Sequence, residues 1–187
     1  MQVQPYLFFN GRCEEAVEFY RKALGAEVTM LMRFKESPEP IDPNRFPRGV
    51  ENKVMHMSLR IGDTTILASD GQCQGQPVFQ GFALSLTVAK DGDADRVFTA
   101  LADGGQVQMP LTKTFFSSRF GMVTDRFGVL WMTYVAPGEP ASSADGQQSN
   151  RKNGQPARRD IEASFSPPIE LFKGVPHPPN FSPRHFR

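Results

Sequence analysis

Three side chains with chemical capacity stand at alternate positions in one short segment: His56, Ser58 and Arg60. An imidazole titrates near neutral pH and serves as a general base or as a hydrogen-bond partner for a ligand. A guanidinium matches the geometry of a carboxylate or a phosphate. Each also has a plainer reading, as a structural histidine and as an ordinary salt-bridge arginine. Asp125 and Gly128 in TDRFG suit either a catalytic carboxylate or a hairpin turn, and the turn is the better reading. Cys13 stands near a helix start, where a thiolate is favoured. It has no histidine beside it in sequence and is read as incidental. No GxSxG, GxxxxGK[ST] or HExxH motif occurs, nor a glycine-rich strand-to-helix turn for a nucleotide cofactor.

These residues need elements to carry them. Val3 to Phe9 is short, apolar and aromatic, and reads as a strand ended by Asn10 and Gly11. Glu14 to Leu24 places Ala16, Val17, Tyr20, Ala23 and Leu24 at helical spacing, with acidic residues first and basic residues last. Gly25 stops it. Ala26 to Phe34 reads as a strand, and Ser37 to Asn52, with four prolines, as a long loop. Lys53 to Ile61 alternates, with Met55, Met57, Leu59 and Ile61 on one face and His56, Ser58 and Arg60 on the other. Thr65 to Ser69 returns after a tight turn.

The order then repeats: a strand at Phe82 to Ala89, a helix at Asp91 to Asp103, and strands at Val107 to Phe116, Arg119 to Asp125 and Val129 to Val135. An offset of 79 pairs Phe19 with Phe98 and Gly25 with Gly104. Strand, helix and three strands, twice over, indicates an internal repeat. Each half alone has a small core, so the halves pack on each other or on a partner. From Pro137 onward the chain holds 9 of its 16 prolines and no sustained apolar periodicity. The expected organisation is a folded domain over 1–136 and a Pro-rich, disordered tail over 137–187.

Composition excludes several classes. The chain has 21 Lys and Arg against 20 Asp and Glu, without the basic surplus that nucleic acid requires. No apolar run approaches the ~20 residues of a membrane span. Two distant cysteines, Cys13 and Cys73, are not a disulfide framework. A cytoplasmic protein without nucleic-acid or membrane partners is expected.

The segments PYLFFNGRCEEAVEFYRKALGAEV, HMSLRIGDTTILASD, GFALSLTV and FGMVTDRFGVLWMTYV, in this order, resemble the vicinal oxygen chelate superfamily and within it the PhnB-like branch. That superfamily includes glyoxalase I, bleomycin-resistance proteins and extradiol dioxygenases. The resemblance covers Val3 to Val135. It implies an α+β fold of two βαβββ modules, a curled mixed sheet around a cup with helices outside, and a homodimer. His56, Ser58 and Arg60 would face the cup from the first half, and Ser85, Met132 and Tyr134 from the second, with Phe116 as an apolar wall. Phe9 and Phe115 are further candidates for that wall, and Trp131 is assigned to the core.

Metal-using members hold a divalent ion at four strand positions. Carried over, these fall at Pro5, near Ile66 to Ala68, at Ala83 or Ser85, and at Met132. None is an imidazole or a carboxylate, so no metal and no other cofactor is expected, and no catalytic residue is assigned. The expected function is the binding of a small organic molecule in the cup between the modules. Two alternatives stand beside it: a metal-dependent lyase or isomerase with substituted ligands, and an antibiotic-sequestering resistance protein. The methyltransferase label that proteins of this branch sometimes carry finds no support in a methyl-donor motif.

Overall fold

The computed structural model describes residues 1–136; the expectation for 137–187 lies outside the described residues. Two modules follow one another. The first comprises β1 (Tyr6–Phe8), α1 (Cys13–Leu24), β2 (Glu27–Arg33), β3 (Val54–Ile61) and β4 (Thr64–Ser69). The second comprises β5 (Leu84–Val88), α2 (Asp91–Ala102), β6 (Gln106–Thr112), β7 (Phe120–Thr124) and β8 (Leu130–Val135). The α+β class and the repeated order are therefore as read from sequence. The buried residues Ala16, Tyr20 and Ala23 of α1 match Ala94, Phe98 and Leu101 of α2, a separation of 78 rather than 79. The register of 79 returns only at β2 and β6, because the second module has one more residue between helix and strand.

The strands form two four-stranded mixed sheets, in the orders β1-β4-β3-β2 and β5-β8-β7-β6. In each, the first strand pairs parallel with the last and the remaining pairs are antiparallel. The sheets are not hydrogen-bonded into one. The opening strand is only three residues long, where Val3 to Phe9 was expected. Pro5 stands just before it and lacks an N–H for any further ladder. Its carbonyl accepts from Leu67 N–H (2.9 Å) on β4. The residues between the two sheets, Pro5, Ile66, Ala83 and Leu84 among them, line a cavity of about 230 Å³.

Helix α1 forms because Ala16, Val17, Tyr20 and Ala23 make one buried stripe, with Glu14 and Glu15 at its positive end and Arg21 and Lys22 at its negative end. Gly25 closes it in the left-handed conformation (φ 67°), its N–H donating to Arg21 C=O. Arg12, before the first turn, caps nothing with its side chain. The missing partner comes from 57 residues away: Asp70 accepts from Cys13 N–H at 2.6 Å and, with its other oxygen, from Val54 N–H at 2.8 Å. One buried carboxylate thus fastens the helix to the start of β3.

A second buried carboxylate joins the modules. Asp125, 3% exposed, accepts from Phe127 N–H (2.9 Å) and Val129 N–H (3.0 Å) through one oxygen. Through the other it accepts from the Tyr20 hydroxyl (2.6 Å) and the Trp131 indole N–H (2.9 Å). Asp125 does lie in the β7–β8 turn, where Gly128 N–H donates to its carbonyl (2.9 Å), and it is also the anchor of α1. Around it the rings of Phe9, Phe19, Tyr20, Phe127 and Trp131 lie at centroid distances of 5.4–6.3 Å. These residues belong to one hydrophobic core shared by both modules. Each buried side chain of this kind contributes about 1.5–3 kcal/mol through transfer from water. Phe9, considered for the cup wall, is instead 2% exposed within this core. Trp131 is in the core as expected.

The face of β7 toward α2 is held open by a small residue. A Cβ at Gly121 would stand 2.8 Å from the Phe98 ring. Beside it, Thr133 is fully buried, and its hydroxyl has no hydrogen-bond partner among the described residues. No helix of the described residues is long and apolar enough to cross a membrane.

Burial and the adjacent Asp125 carboxylate hold the Tyr20 phenol well above its ordinary value of 10.0. The folded state keeps this proton when the unfolded chain has lost it. The stability from Tyr20 is therefore complete below pH 10 and is lost as pH rises through the folded value. Tyr20→Phe removes one donor from a buried carboxylate, and a loss of about 1–3 kcal/mol at neutral pH is expected. Chemical denaturation across pH 7 to 11 checks both points: the substituted protein is weaker at pH 7 and less sensitive to alkali.

Candidate functional site

In β1, Leu7 points into the core (2% exposed), while Tyr6 (38%) and Phe8 (52%) point the opposite way. The parallel pairing with β4 sets Phe8 beside Ser69. His56 stands on the same sheet face, and its Nδ1 shares a hydrogen bond with the Tyr6 hydroxyl (2.9 Å). The rings of Tyr6 and Phe8 are 4.9 Å apart, and those of Tyr6 and His56 are 5.5 Å apart. Tyr6 and Phe8 line one side of a cavity, with His56 behind Tyr6.

The roof comes from the long loop, whose two ends are clasped. Phe34 N–H donates to Lys53 C=O (3.1 Å) and Lys35 N–H to Glu51 C=O (2.9 Å). Arg33 binds both oxygens of Glu14 on α1 and donates to Asn52 C=O (2.6 Å). The Arg33 guanidinium holds the Glu14 carboxyl below its ordinary value. Lys35 Nζ reaches Asn52 Oδ1 (3.0 Å). With its base fixed, the loop brings the Phe46 ring to 4.8 Å from Phe34, with Arg45 beside it. Between β1 and the loop lies an open cavity of about 610 Å³, lined by Tyr6, Phe8, Phe34, Arg45, Phe46 and Met55, with Asn10, Ser69, Gly71, Gln72 and Gln74 around them. Ligand sites fall in this size range and join apolar walls to a few polar groups.

The residues singled out from sequence are divided between the two sheets. His56, Ser58 and Arg60 share a face of the first sheet, as the alternation indicated, but Met55 does not join Met57 and Leu59 on the other: the register shift opposite Arg33 buries Val54 and leaves Met55 lining the cavity. His56 adjoins the cavity through Tyr6. Ser58 is half-buried, opposite Met30 on β2. Arg60 forms an ion pair with Glu27, its cross-strand neighbour, which is the plainer of its two readings. Ser85, Met132 and Tyr134 share a face of the second sheet, with Ser85 opposite Met132 and Tyr134 opposite Phe120. Phe116 packs on Phe120 at 5.2 Å, and Phe115 is 80% exposed. The cavity beside His56 takes all its walls from the first module. Ser85 lines the separate, smaller cavity between the sheets.

The sequence reading missed Tyr6, Phe8, Phe34, Arg45 and Phe46. Tyr6 and Phe8 alternate with Leu7 and Phe9, so one pair had to leave the core. The two phenylalanines that bracket the long loop were the other available signal.

The positions at which superfamily members present a metal do converge in part. Pro5, Ile66, Ala83 and Ser85 line the one cavity between the sheets. Their side chains offer a single hydroxyl, while transition-metal sites need three or four imidazole, thiolate or carboxylate donors. Among the described residues, no three His, Cys, Asp or Glu gather. These positions do not fit the ion. At the β1–α1 turn the Cys13 amide is taken by Asp70, and the β5–α2 turn of Ala89 and Lys90 contains no glycine.

The sequence model of the family described as 3-demethylubiquinone-9 3-methyltransferase matches residues 1–134. Protein YjdN of Escherichia coli (strain K12) is 34% identical over 145 residues, which span 75% of this chain and 99% of that protein. Protein PA1353 from Pseudomonas aeruginosa is 42% identical with a TM-score of 0.63, over 73% of this chain and 98% of that one. The putative 3-demethylubiquinone-9 3-methyltransferase, PhnB protein, from Bacillus cereus is 26% identical with a TM-score of 0.60, over 73% and 100%.

Neither cysteine is poised as a nucleophile. Cys13 has no exposed surface, and its Sγ lies 3.4 Å from Met57 Sδ. Burial, reinforced by Asp70, pushes its thiol far up. Cys73 is partly exposed, and its thiol is also raised, chiefly by desolvation. A thiol reagent added to the native protein is therefore expected to modify Cys73 first. Cys13 should follow only on unfolding in denaturant. Simultaneous modification of both in the native state would show that the α1 start is not closed.

Proposed function

Because the chain belongs to the 3-demethylubiquinone-9 3-methyltransferase family, and with its PhnB-like relatives to the vicinal oxygen chelate superfamily, we propose that it binds a small organic molecule, and that it does so without the superfamily's metal. The place we assign is the cavity of the first module. The observation that carries this reading is the convergence of four rings, Tyr6, Phe8, Phe34 and Phe46, on about 610 Å³ beside the Tyr6–His56 pair. Exposed rings such as Tyr6 and Phe8 mark a surface that meets a ligand or a partner, and the polar groups around this cavity favour the ligand. A loop of this length would gain nothing by being fastened at its base over them.

In this reading the rings supply contact area, and Asn10, Ser69, Gln72 and Gln74 fix the orientation. Tyr6, which lines the cavity, is hydrogen-bonded to His56 behind it, and this pair can hold or pass a proton. Its hydrogen bond through Nδ1 sets the direction of the imidazole, and Nε2 has no hydrogen-bond partner among the described residues. The residues at the metal positions support binding rather than Lewis-acid chemistry, because they lack the donors that would hold an ion.

Two measurements test this. A chemically mixed library screened by thermal shift should return compounds that raise the melting temperature. A ligand at a hundred times its Kd adds about 2.7 kcal/mol. Tyr6→Ala and Phe46→Ala should abolish these shifts and leave the unliganded melting temperature close to that of the unsubstituted protein, since neither side chain belongs to the shared core. Hits that survive both substitutions would place the binding site elsewhere. Supplied with Ni, Zn, Mn and Fe in turn, the protein should retain well below one ion per chain. A stoichiometric ion lost in His56→Ala would replace this reading with a metal-dependent one.

A further inference from the structure

The walls of the same cavity restrict the class of ligand, and the inference rests on that cavity being the binding site. Two ring pairs line it: Tyr6 and Phe8 from β1, Phe34 and Phe46 from the 3₁₀ turn and the loop. Each pair is in mutual contact, at 4.9 Å and 4.8 Å. Two ring pairs facing one space favour a flat, π-bearing guest, which stacks or meets them edge to face. The wall between them is kept thin by Gly71. It has φ 55°, and a Cβ there would stand 3.2 Å from the Phe8 ring and 3.4 Å from the Asn10 side-chain oxygen. The backbone can hold this turn without filling the space.

Charge narrows the class further. Arg45 is the one charged residue lining this cavity, and no aspartate or glutamate lines it. Among the described residues Arg12, Arg21, Arg33, Arg60, Arg96, Arg119 and Arg126 each form an ion pair, and Arg48, on the same loop but not lining the cavity, does not. Arg45 forms none among the described residues. Its guanidinium carbon lies 5.7 Å from the Phe46 ring centroid, so the cation is held over the aromatic roof. A planar guanidinium beside stacked rings, with neutral amides at Asn10, Gln72 and Gln74, matches a carboxylate attached to an aromatic system.

We infer that the ligand of this cavity is a planar aromatic carboxylate, its ring system between the Tyr6–Phe8 and Phe34–Phe46 pairs and its carboxylate on Arg45.

The test uses the full chain and three probes: 2-naphthoate, the neutral 2-naphthamide, and hexanoate as a flexible acid. Binding is followed by probe or protein fluorescence and by isothermal titration. Naphthoate should bind at least about tenfold more tightly than either of the others, the scale of one charge-assisted contact, and should weaken as salt is raised. Arg45→Gln, on an exposed loop position, should remove the advantage of naphthoate over naphthamide. Equal binding of acid and amide, or an Arg45→Gln protein that still prefers the acid, would overturn the anionic class. Equal binding of hexanoate would overturn the aromatic one, and absence of naphthoate binding would overturn the inference as a whole. Phe8→Ala and Phe46→Ala separate this from the underlying reading: if both leave naphthoate binding intact, the cavity is not the site.

Discussion

The contact on which the two modules depend is the hydrogen bond between the Tyr20 hydroxyl and the Asp125 carboxylate. It spans 105 positions and joins the helix of the first module to the last hairpin of the second. A buried carboxylate is costly unless its oxygens are fully engaged. Here four donors converge on it, two of them the backbone amides of its own turn and one the indole of Trp131. The turn fixes the carboxylate, and the carboxylate fixes α1. The surrounding rings pack around Tyr20 at tilted or edge-on angles while its hydroxyl reaches the carboxylate. A chain with only weak identity between its halves can in this way hold them in one core.

Asp70 performs the same service within the first module. It takes the amide of Cys13 and the amide of Val54, so α1 and the start of β3 are tied to the end of β4. From there the candidate site follows by short steps. Val54 opens the strand that carries His56, and Lys53 and Asn52 just before it clasp Phe34, Arg33 and Lys35 at the other end of the long loop. The loop can therefore be long and rich in proline and still place Phe46 and Arg45 over Tyr6 and Phe8. Its position is set at its base, by hydrogen bonds among residues on both sides of it.

Much of the fold was legible in the chain. The alternation in Lys53 to Ile61 put His56, Ser58 and Arg60 on one face, and the helical spacing of Ala16, Val17 and Tyr20 put them on another. Such periods are local and survive without knowledge of partners. What was not legible depended on long-range pairing. Asp125 looked like a turn residue because its turn is local, while its bond to Tyr20 is not. Phe9 looked available for a cup wall because a strand's alternation does not say which face meets the core. The lining of the cavity at β1 was not legible for the same reason, because Phe34, Arg45 and Phe46 meet Tyr6 and Phe8 only in the folded chain. The face bearing His56 is then completed by the loop of its own module, away from Ser85, Met132 and Tyr134.

The measurement that bears most directly on the account is a residue-by-residue map of ligand contact in solution, by amide chemical-shift changes on titration with 2-naphthoate. The account predicts the largest changes at Phe8, Asn10, Arg45, Phe46, Gly71 and Gln72, on the floor, the roof and the rim of one cavity. Changes centred instead on Ser85, Met132 and Tyr134 would contradict it and return the binding site to the second sheet.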